Sequence, residues 1–166
     1  MVLGTKNNLK ALIDNCHQNG IAVIMDMVLN HSFGQSPMVQ MYFNTSNGQP
    51  SSQSPWFNAM ATHPFSVGYD FNHESGYTKD FVDTVLSYWV NEFKLDGFRF
   101  DLSKGFTQVN SGTNVGLWGQ YDQSRINIWQ RIYDKVKVYA PSTYMILEHF
   151  SDNSEEKELA LRGFML

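Results

Sequence analysis

The sequence predicts an α/β fold with a parallel sheet. Three observations carry that prediction. Ile21-Ala-Val-Ile-Met25 is a continuous apolar run, as in a strand buried on both faces. Short strand-like segments alternate with helical patterns long enough for crossovers, the order that builds right-handed β-α-β units. Each strand-like segment also ends in a polar cluster, and parallel α/β folds gather such ends along one edge.

The elements follow in order. Thr5 to Asn19 reads as a helix, with Leu9, Leu12, Ile13 and Cys16 on one face and Gly20 as its stop. The run 21–25 is the first strand, ending in Asp26. From Ser32 to Tyr77 regular periodicity is lost. Pro37, Pro50, Pro55 and Pro64 disfavour long helices or central strands there, while the aromatic content argues against disorder. Thr78 to Lys94 is the second helix, with Thr78 as N-cap and Phe81, Val85, Trp89 and Phe93 at four-residue steps. Leu95 to Asp101 is the second strand. A Gly- and Asn-rich loop covers 103–121. The third helix runs from Asp122 to Tyr139, with Ile126, Trp129, Ile132, Tyr133 and Val136 inward, and Pro141 ends it. Tyr144–Leu147 is the third strand, Ser154–Glu158 the capped start of a fourth helix, and Gly163–Leu166 the approach to another strand.

Composition excludes several classes. The 166 residues carry a formal net charge of −4 and no basic run, which argues against a nucleic-acid partner. No apolar run approaches the ~20 residues of a membrane span, so no membrane partner is expected. Met1-Val-Leu3 is too short for a signal peptide. The single cysteine, Cys16, allows no intramolecular disulfide and falls on a packed face.

The chemistry lies at the strand ends: Asp26-Met-Val-Leu-Asn30-His31, Arg99-Phe-Asp101-Leu-Ser-Lys104 and Glu148-His149. Side chains at i and i+2 share a strand face, so Arg99 stands beside Asp101. A guanidinium favours an ionised, oriented carboxylate, which is what a nucleophile needs. Glu148 ends an apolar strand without a local partner, a setting suited to a general acid. Adjacent strands lie about 4.8 Å apart, so the two carboxylates can work as a pair, the division of labour in glycoside hydrolysis. A lone Arg-x-Asp is more often a structural ion pair; three polar strand ends together favour a site.

These motifs resemble the alpha-amylase family, glycoside hydrolase family 13. Asp26 with Asn30-His31, the run Gly97-Phe-Arg99-Phe-Asp101-Leu-Ser-Lys104, and Glu148 within Ile146–Phe150 match its first three motifs in order and spacing. The resemblance implies a partial (β/α)8 barrel, about strands 3 to 5 with flanking helices. Residues 1–31 and 78–166 would form the barrel part, and 32–77 an insertion like the family's domain B. It implies Asp101 as nucleophile, Glu148 as general acid/base and Arg99 as the residue that orients Asp101. His31 and Lys104 would contact sugar, and Asp26 would support the site through hydrogen bonds. It also implies a structural Ca2+ held by Asn30 and Asp70, an oxygen-ligand site. The partner would be an α-glucan polysaccharide or oligosaccharide, and the parent protein would be secreted or periplasmic. Tyr42, Trp56 and Trp118 are candidate sugar platforms, although each aromatic is also ordinary packing material.

Two departures stand out. The family commonly has His after the motif lysine, where this chain has Gly105. Its fourth motif, which carries a third carboxylate, falls beyond Leu166, so the 166 residues alone are expected to be inactive. His63, His73 and His149 lack metal-ligand spacing, and no zinc site is expected. No phosphate loop or Gly-x-Ser-x-Gly elbow occurs. The alternatives are a transglycosylase, a branching enzyme or an α-glucosidase on the same machinery, a non-catalytic carbohydrate-binding relative, and a metal-dependent barrel hydrolase.

Overall fold

A computed structural model describes residues 4–65 and 67–166. The stretch Met1–Leu3 considered above lies outside them, as does Ser66. The elements are α1 Lys6–Gln18, β1 Ile24–Met27, β2 His31–Ser32, α2 Pro37–Met41, β3 Phe43–Asn44, β4 Gln49–Pro50 and β5 Tyr69–Asp70. There follow α3 Gly76–Phe93, β6 Gly97–Phe100, a 3-10 turn Ser103–Gly105, α4 Val115–Trp118, α5 Gln123–Tyr139, β7 Tyr144–Leu147 and α6 Asn153–Leu161.

The main sheet is parallel, in the order β1-β6-β7, and two short antiparallel pairs, β2-β5 and β3-β4, lie in the irregular stretch. The register places Asp26 opposite Arg99 and Arg99 opposite Ile146. Alternation then sends Arg99 and Asp101 to one face and Phe98 and Phe100 to the other. Both phenylalanines are fully buried, in a core with Leu86, Phe93, Trp129, Ile132 and Leu147. One strand therefore carries packing on one face and chemistry on the other.

Several local expectations shift. The first strand begins at Ile24 instead of Ile21. In α1, capped reciprocally by Thr5 and Asn8, Ile13 is buried but Leu12 is 60% exposed; the inward stripe runs through Leu9 and Ile13. Ser75, not Thr78, occupies the N-cap position of α3. Thr78 instead lies buried in the first turn, and its hydroxyl donates to the Trp56 carbonyl (3.1 Å). The buried apolar residues of α3 are Val82, Leu86 and Phe93, with Phe81 and Trp89 packed beside them. Lys94 caps α3 at φ 58°, the left-handed conformation common at helix ends. α5 has its expected stripe and is capped by Asp122, which accepts from the Ser124 and Arg125 amides.

The irregular stretch has a small apolar cluster of its own, Val39, Phe57 and Phe71. Pro37 starts α2, where its missing N–H costs nothing. Met165 bridges to Ile146 in parallel, so the chain after α6 returns to the free edge of β7. Among the described residues no helix is long and apolar enough to cross a membrane.

Candidate active site

The parallel register converges the strand ends on one guanidinium. Arg99 Nη1 donates to Asp26 Oδ1 (2.8 Å) and to Asp101 Oδ1 (3.2 Å), and Nη2 lies 3.1 Å from Glu148 Oε1. Three carboxylates from three adjacent strands thus share one arginine. Arg99, Asp101 and Glu148 are each about one-third exposed, open enough for a ligand to reach. The Asp26 hydrogen bond raises the pKa of Arg99 most; desolvation opposes it, and the Glu148 and Asp26 charges add to the rise, so the guanidinium stays charged.

Glu148 differs from its expectation. The local sequence offers it no partner, yet its Oε2 accepts the Leu102 amide (2.9 Å) while Oε1 meets Arg99. Leu102 holds φ 48°, a conformation that costs a non-glycine residue about 1–2 kcal/mol. That backbone turn directs the amide at Glu148. The turn is locked from behind, because the Ser103 amide donates to the Glu148 carbonyl (3.0 Å).

Behind the site lies a buried polar network. Arg125 Nε and Nη2 grip Glu155 at 2.6 and 2.7 Å, and His149 Nε2 lies 2.7 Å from Glu155 Oε1. Burial raises the carboxyl pKa of Glu155, but hydrogen bonds from His149 and Arg125 outweigh it and hold it at about 2. Burial lowers the pKa of His149 against the pull of Glu155, which leaves the imidazole neutral at physiological pH. The Ser103 hydroxyl meets His149 Nδ1 at 2.9 Å. The Ser103-His149-Glu155 row resembles a nucleophilic triad, but every member is buried away from solvent. Its role is to hold the turn after β6 against the end of β7.

The other expected site residues fall into two groups. His31 stays with the site. Burial lowers the pKa of its imidazole, the Asp101 charge raises it, and the net direction is down. Gly68 makes room for His31, since a Cβ there would sit 2.8 Å from the ring and 2.7 Å from the Ser32 carbonyl. Lys104 and Trp118 both line a cavity beside Glu148, and both are largely enclosed. Lys104 is 9% exposed; its ammonium donates to the Phe150 carbonyl (2.8 Å) and lies 4.0 Å from the Trp118 ring centroid. One N–H is thus spent on the Phe150 carbonyl, and the side chain also lines the cavity beside Glu148. Trp118 is 4% exposed, stacks with His63 and Phe65, and forms part of the wall of that cavity. Tyr42 and Trp56 meet edge to face at 5.9 Å in the irregular stretch, and Trp56 packs against the Val39 cluster. An apolar cavity of about 340 Å3 opens beside Glu148, between Phe65, Leu102, Trp118 and Phe150. Phe65 and Phe150 are both exposed; Phe150 lies two residues past Glu148 within the Ile146–Phe150 motif, whereas nothing local places Phe65 beside it.

Asn30 and Asp70 are buried, and the side-chain oxygens Asn30 Oδ1 and Asp70 Oδ1 find no hydrogen-bond partner. Buried orphan oxygens point to a missing ion or water, so both residues fit a divalent cation. Among the described residues no three His, Cys, Asp or Glu side chains form a metal-ligand group; this pair counts an amide oxygen as a donor.

A polar site at the C-terminal edge of a parallel sheet places the molecule among the parallel α/β proteins. A sequence model of the alpha-amylase catalytic domain matches residues 2–74. The chain is 30% identical over 164 residues to a maltogenic alpha-amylase from Bacillus acidopullulyticus, covering 90% of this chain and 24% of the relative. It is 28% identical over 151 residues to a 1,4-alpha-glucan branching enzyme of Shewanella baltica, covering 87% of this chain and 20% of that protein. Among solved structures, Amy13B of Eubacterium rectale superposes with a TM-score of 0.73 at 22% identity, covering 97% of this chain and 34% of that one. The chain belongs to the alpha-amylase family and corresponds to part of its catalytic domain. It spans about a fifth to a quarter of the length of these curated relatives.

Proposed function

We propose that this chain is the nucleophile- and acid-bearing part of a retaining enzyme acting on α-glucosidic bonds of starch-like glucans. In barrel terms it comprises about strands 3 to 5, with 32–77 as the inserted domain B. The observation that carries the proposal is the single Arg99 guanidinium binding Asp26, Asp101 and Glu148 at three parallel strand ends. The names of the relatives, a maltogenic amylase and a glucan branching enzyme, support the substrate class.

In the first step an Asp101 oxygen bonds to the anomeric carbon while Glu148 gives its proton to the departing glycosidic oxygen. In the second, Glu148 takes a proton from an incoming hydroxyl, whose oxygen displaces Asp101. Water as that hydroxyl gives hydrolysis; a sugar hydroxyl gives transglycosylation or branching. Arg99 orients both carboxylates. His31 contacts the sugar at the cleaved bond, and Asp26 fixes Arg99. Asn30 and Asp70 hold a divalent cation, Ca2+ being the family's ion, which would brace the irregular stretch against the sheet. The full-length protein acts on extracellular or periplasmic glucan, and the 166 residues alone are inactive.

The test is reducing-sugar release from soluble starch by the full-length protein and by its Asp101→Asn variant. Activity should fall by about 10^4-fold or more in the variant. Full activity in Asp101→Asn would reduce Arg99–Asp101 to a structural pair.

A further inference from the structure

Glu148 is clasped by two consecutive peptide amides. The Leu102 amide donates to its side-chain Oε2 (2.9 Å), and the Ser103 amide donates to its main-chain carbonyl (3.0 Å). Both amides can point at Glu148 because Leu102 stands at φ 48°, ψ 43°, in the left-handed region. The Gly105 amide closes the turn on the Leu102 carbonyl (2.9 Å). Leucine bears a steric cost there that glycine avoids. A residue held in such a conformation beside a reacting group is an observation from which a role can be argued.

The peptide that carries the Leu102 N–H also joins Leu102 to Asp101. A peptide unit is planar and rigid. The Asp101 amide is itself fixed, by the Met27 carbonyl of β1 (3.1 Å). One flat unit therefore holds the Cα of the nucleophile at one end and grips Glu148 Oε2 at the other. Arg99 brings charge to both carboxylates, but the Leu102 amide distinguishes the two oxygens of Glu148. Oε2 accepts a main-chain N–H that the turn holds in place. Oε1 faces the tip of a long side chain, Arg99 Nη2 at 3.1 Å, on a guanidinium shared with Asp26 and Asp101.

On the reading that Glu148 is the acid/base, we infer that Leu102 is a positioning residue: its left-handed backbone pins Glu148 Oε2 and reserves Oε1 as the oxygen that gives and takes the proton. In the first step the Oε1 proton passes to the glycosidic oxygen. That oxygen keeps the electron pair of its broken bond to the anomeric carbon, and an Asp101 oxygen bonds to that carbon. In the second step Oε1 takes the proton of the incoming hydroxyl, and Asp101 leaves as the carboxylate. Oε2 keeps the Leu102 amide throughout. The working group is a backbone N–H, so the side chain at 102 matters through the φ it permits.

The test compares two substrates in the full-length protein and its Leu102 variants. Soluble starch needs a protonated leaving group. α-Maltosyl fluoride does not, because fluoride departs as the anion. The readout is the ratio of starch turnover to fluoride released in the first turnover. Leu102→Val stays apolar but is β-branched, which disfavours positive φ, and should lower that ratio about 10–100-fold. Leu102→Gly and Leu102→Asn lose the apolar side chain but accept the turn, and should hold the ratio within about threefold of wild type. A packing role predicts the reverse order, and equal losses on both substrates in Leu102→Val would also overturn the inference. If Leu102→Val does not fold, Leu102 is replaced by its α-hydroxy acid, which keeps the side chain and exchanges the N–H for an ester oxygen. The same drop in ratio is expected there, and an unchanged ratio overturns the inference. Failure of the underlying reading looks different. Wild-type protein would then release neither fluoride nor reducing sugar, or Asp101→Asn would stay active, and the role of Leu102 would fall with it.

Discussion

Arg99 and Arg125 both pair with carboxylates, and the difference between them separates chemistry from architecture. Arg125 is 1% exposed and spends all five N–H donors, on Glu155 and on the carbonyls of Lys104, Trp118 and Gln120. Its partner Glu155 is equally closed, bound also by His149 and the Asp122 amide. Nothing in that network remains free for a ligand. Arg99 is one-third open and is divided among three carboxylates from three strands. The same charge pairing is thus saturated and buried in one place, shared and accessible in the other. A buried network that is fully satisfied specifies a fold; an open one can exchange partners with a substrate.

The comparison breaks most sharply at Glu155. Glu155→Gln leaves Arg125 buried without its counter-charge and should cost about 3–5 kcal/mol of stability by denaturant unfolding. Turnover per folded molecule should change little. Arg99→Lys keeps the charge but loses the planar fork that spans Asp101 and Glu148. It should lower kcat by about 10^2–10^3-fold while stability moves by less than about 1 kcal/mol. If both substitutions changed stability alike, the distinction would fail.

Acid should separate the two regions next. The carboxyl of Glu155 sits at about 2 when folded, below its unfolded value. The folded state therefore prefers the ionised form, and this contribution is complete above about pH 4.3 and lost as pH falls toward 2. The pKa of His149 is lowered by burial, so the unfolded state takes up its proton first as pH drops below about 6.5. Both signs agree: melting temperature should fall with falling pH below about 6.5, more steeply below about 4.3. In Glu155→Gln the lowest part of that curve should flatten.

The smallest expected effect concerns His31. Gly68→Ala would push on the His31 ring and the Ser32 carbonyl, and should cost about 1–3 kcal/mol with a raised KM for glucan. A wild-type KM would place His31 away from substrate.

The parallel order, the helices α1, α3 and α5, and the Arg99–Asp101 pair were legible because periodicity and i, i+2 geometry are local. The Asp26–Arg99 bond became legible only with register, which depends on strand pairing. The pairing of Glu148 with Leu102 depends on a left-handed turn that leucine does not advertise. Lys104 and Trp118 read as candidate sugar contacts by type and position; that the 103–121 loop packs them against each other, beside the cavity at Glu148, depends on its tertiary fold. His63 read as isolated because its neighbours Asn30 and Gly105 are far away in sequence.

The central claim, that Asp101 bonds to sugar while Arg99 holds it beside Glu148, has a direct test. The full-length protein would be incubated with a 5-fluoro-α-glucosyl fluoride, digested and examined by mass spectrometry. A glucosyl adduct on the peptide carrying Asp101 is the predicted result. An adduct on a different residue, or glucan cleavage with inverted anomeric configuration, would contradict it.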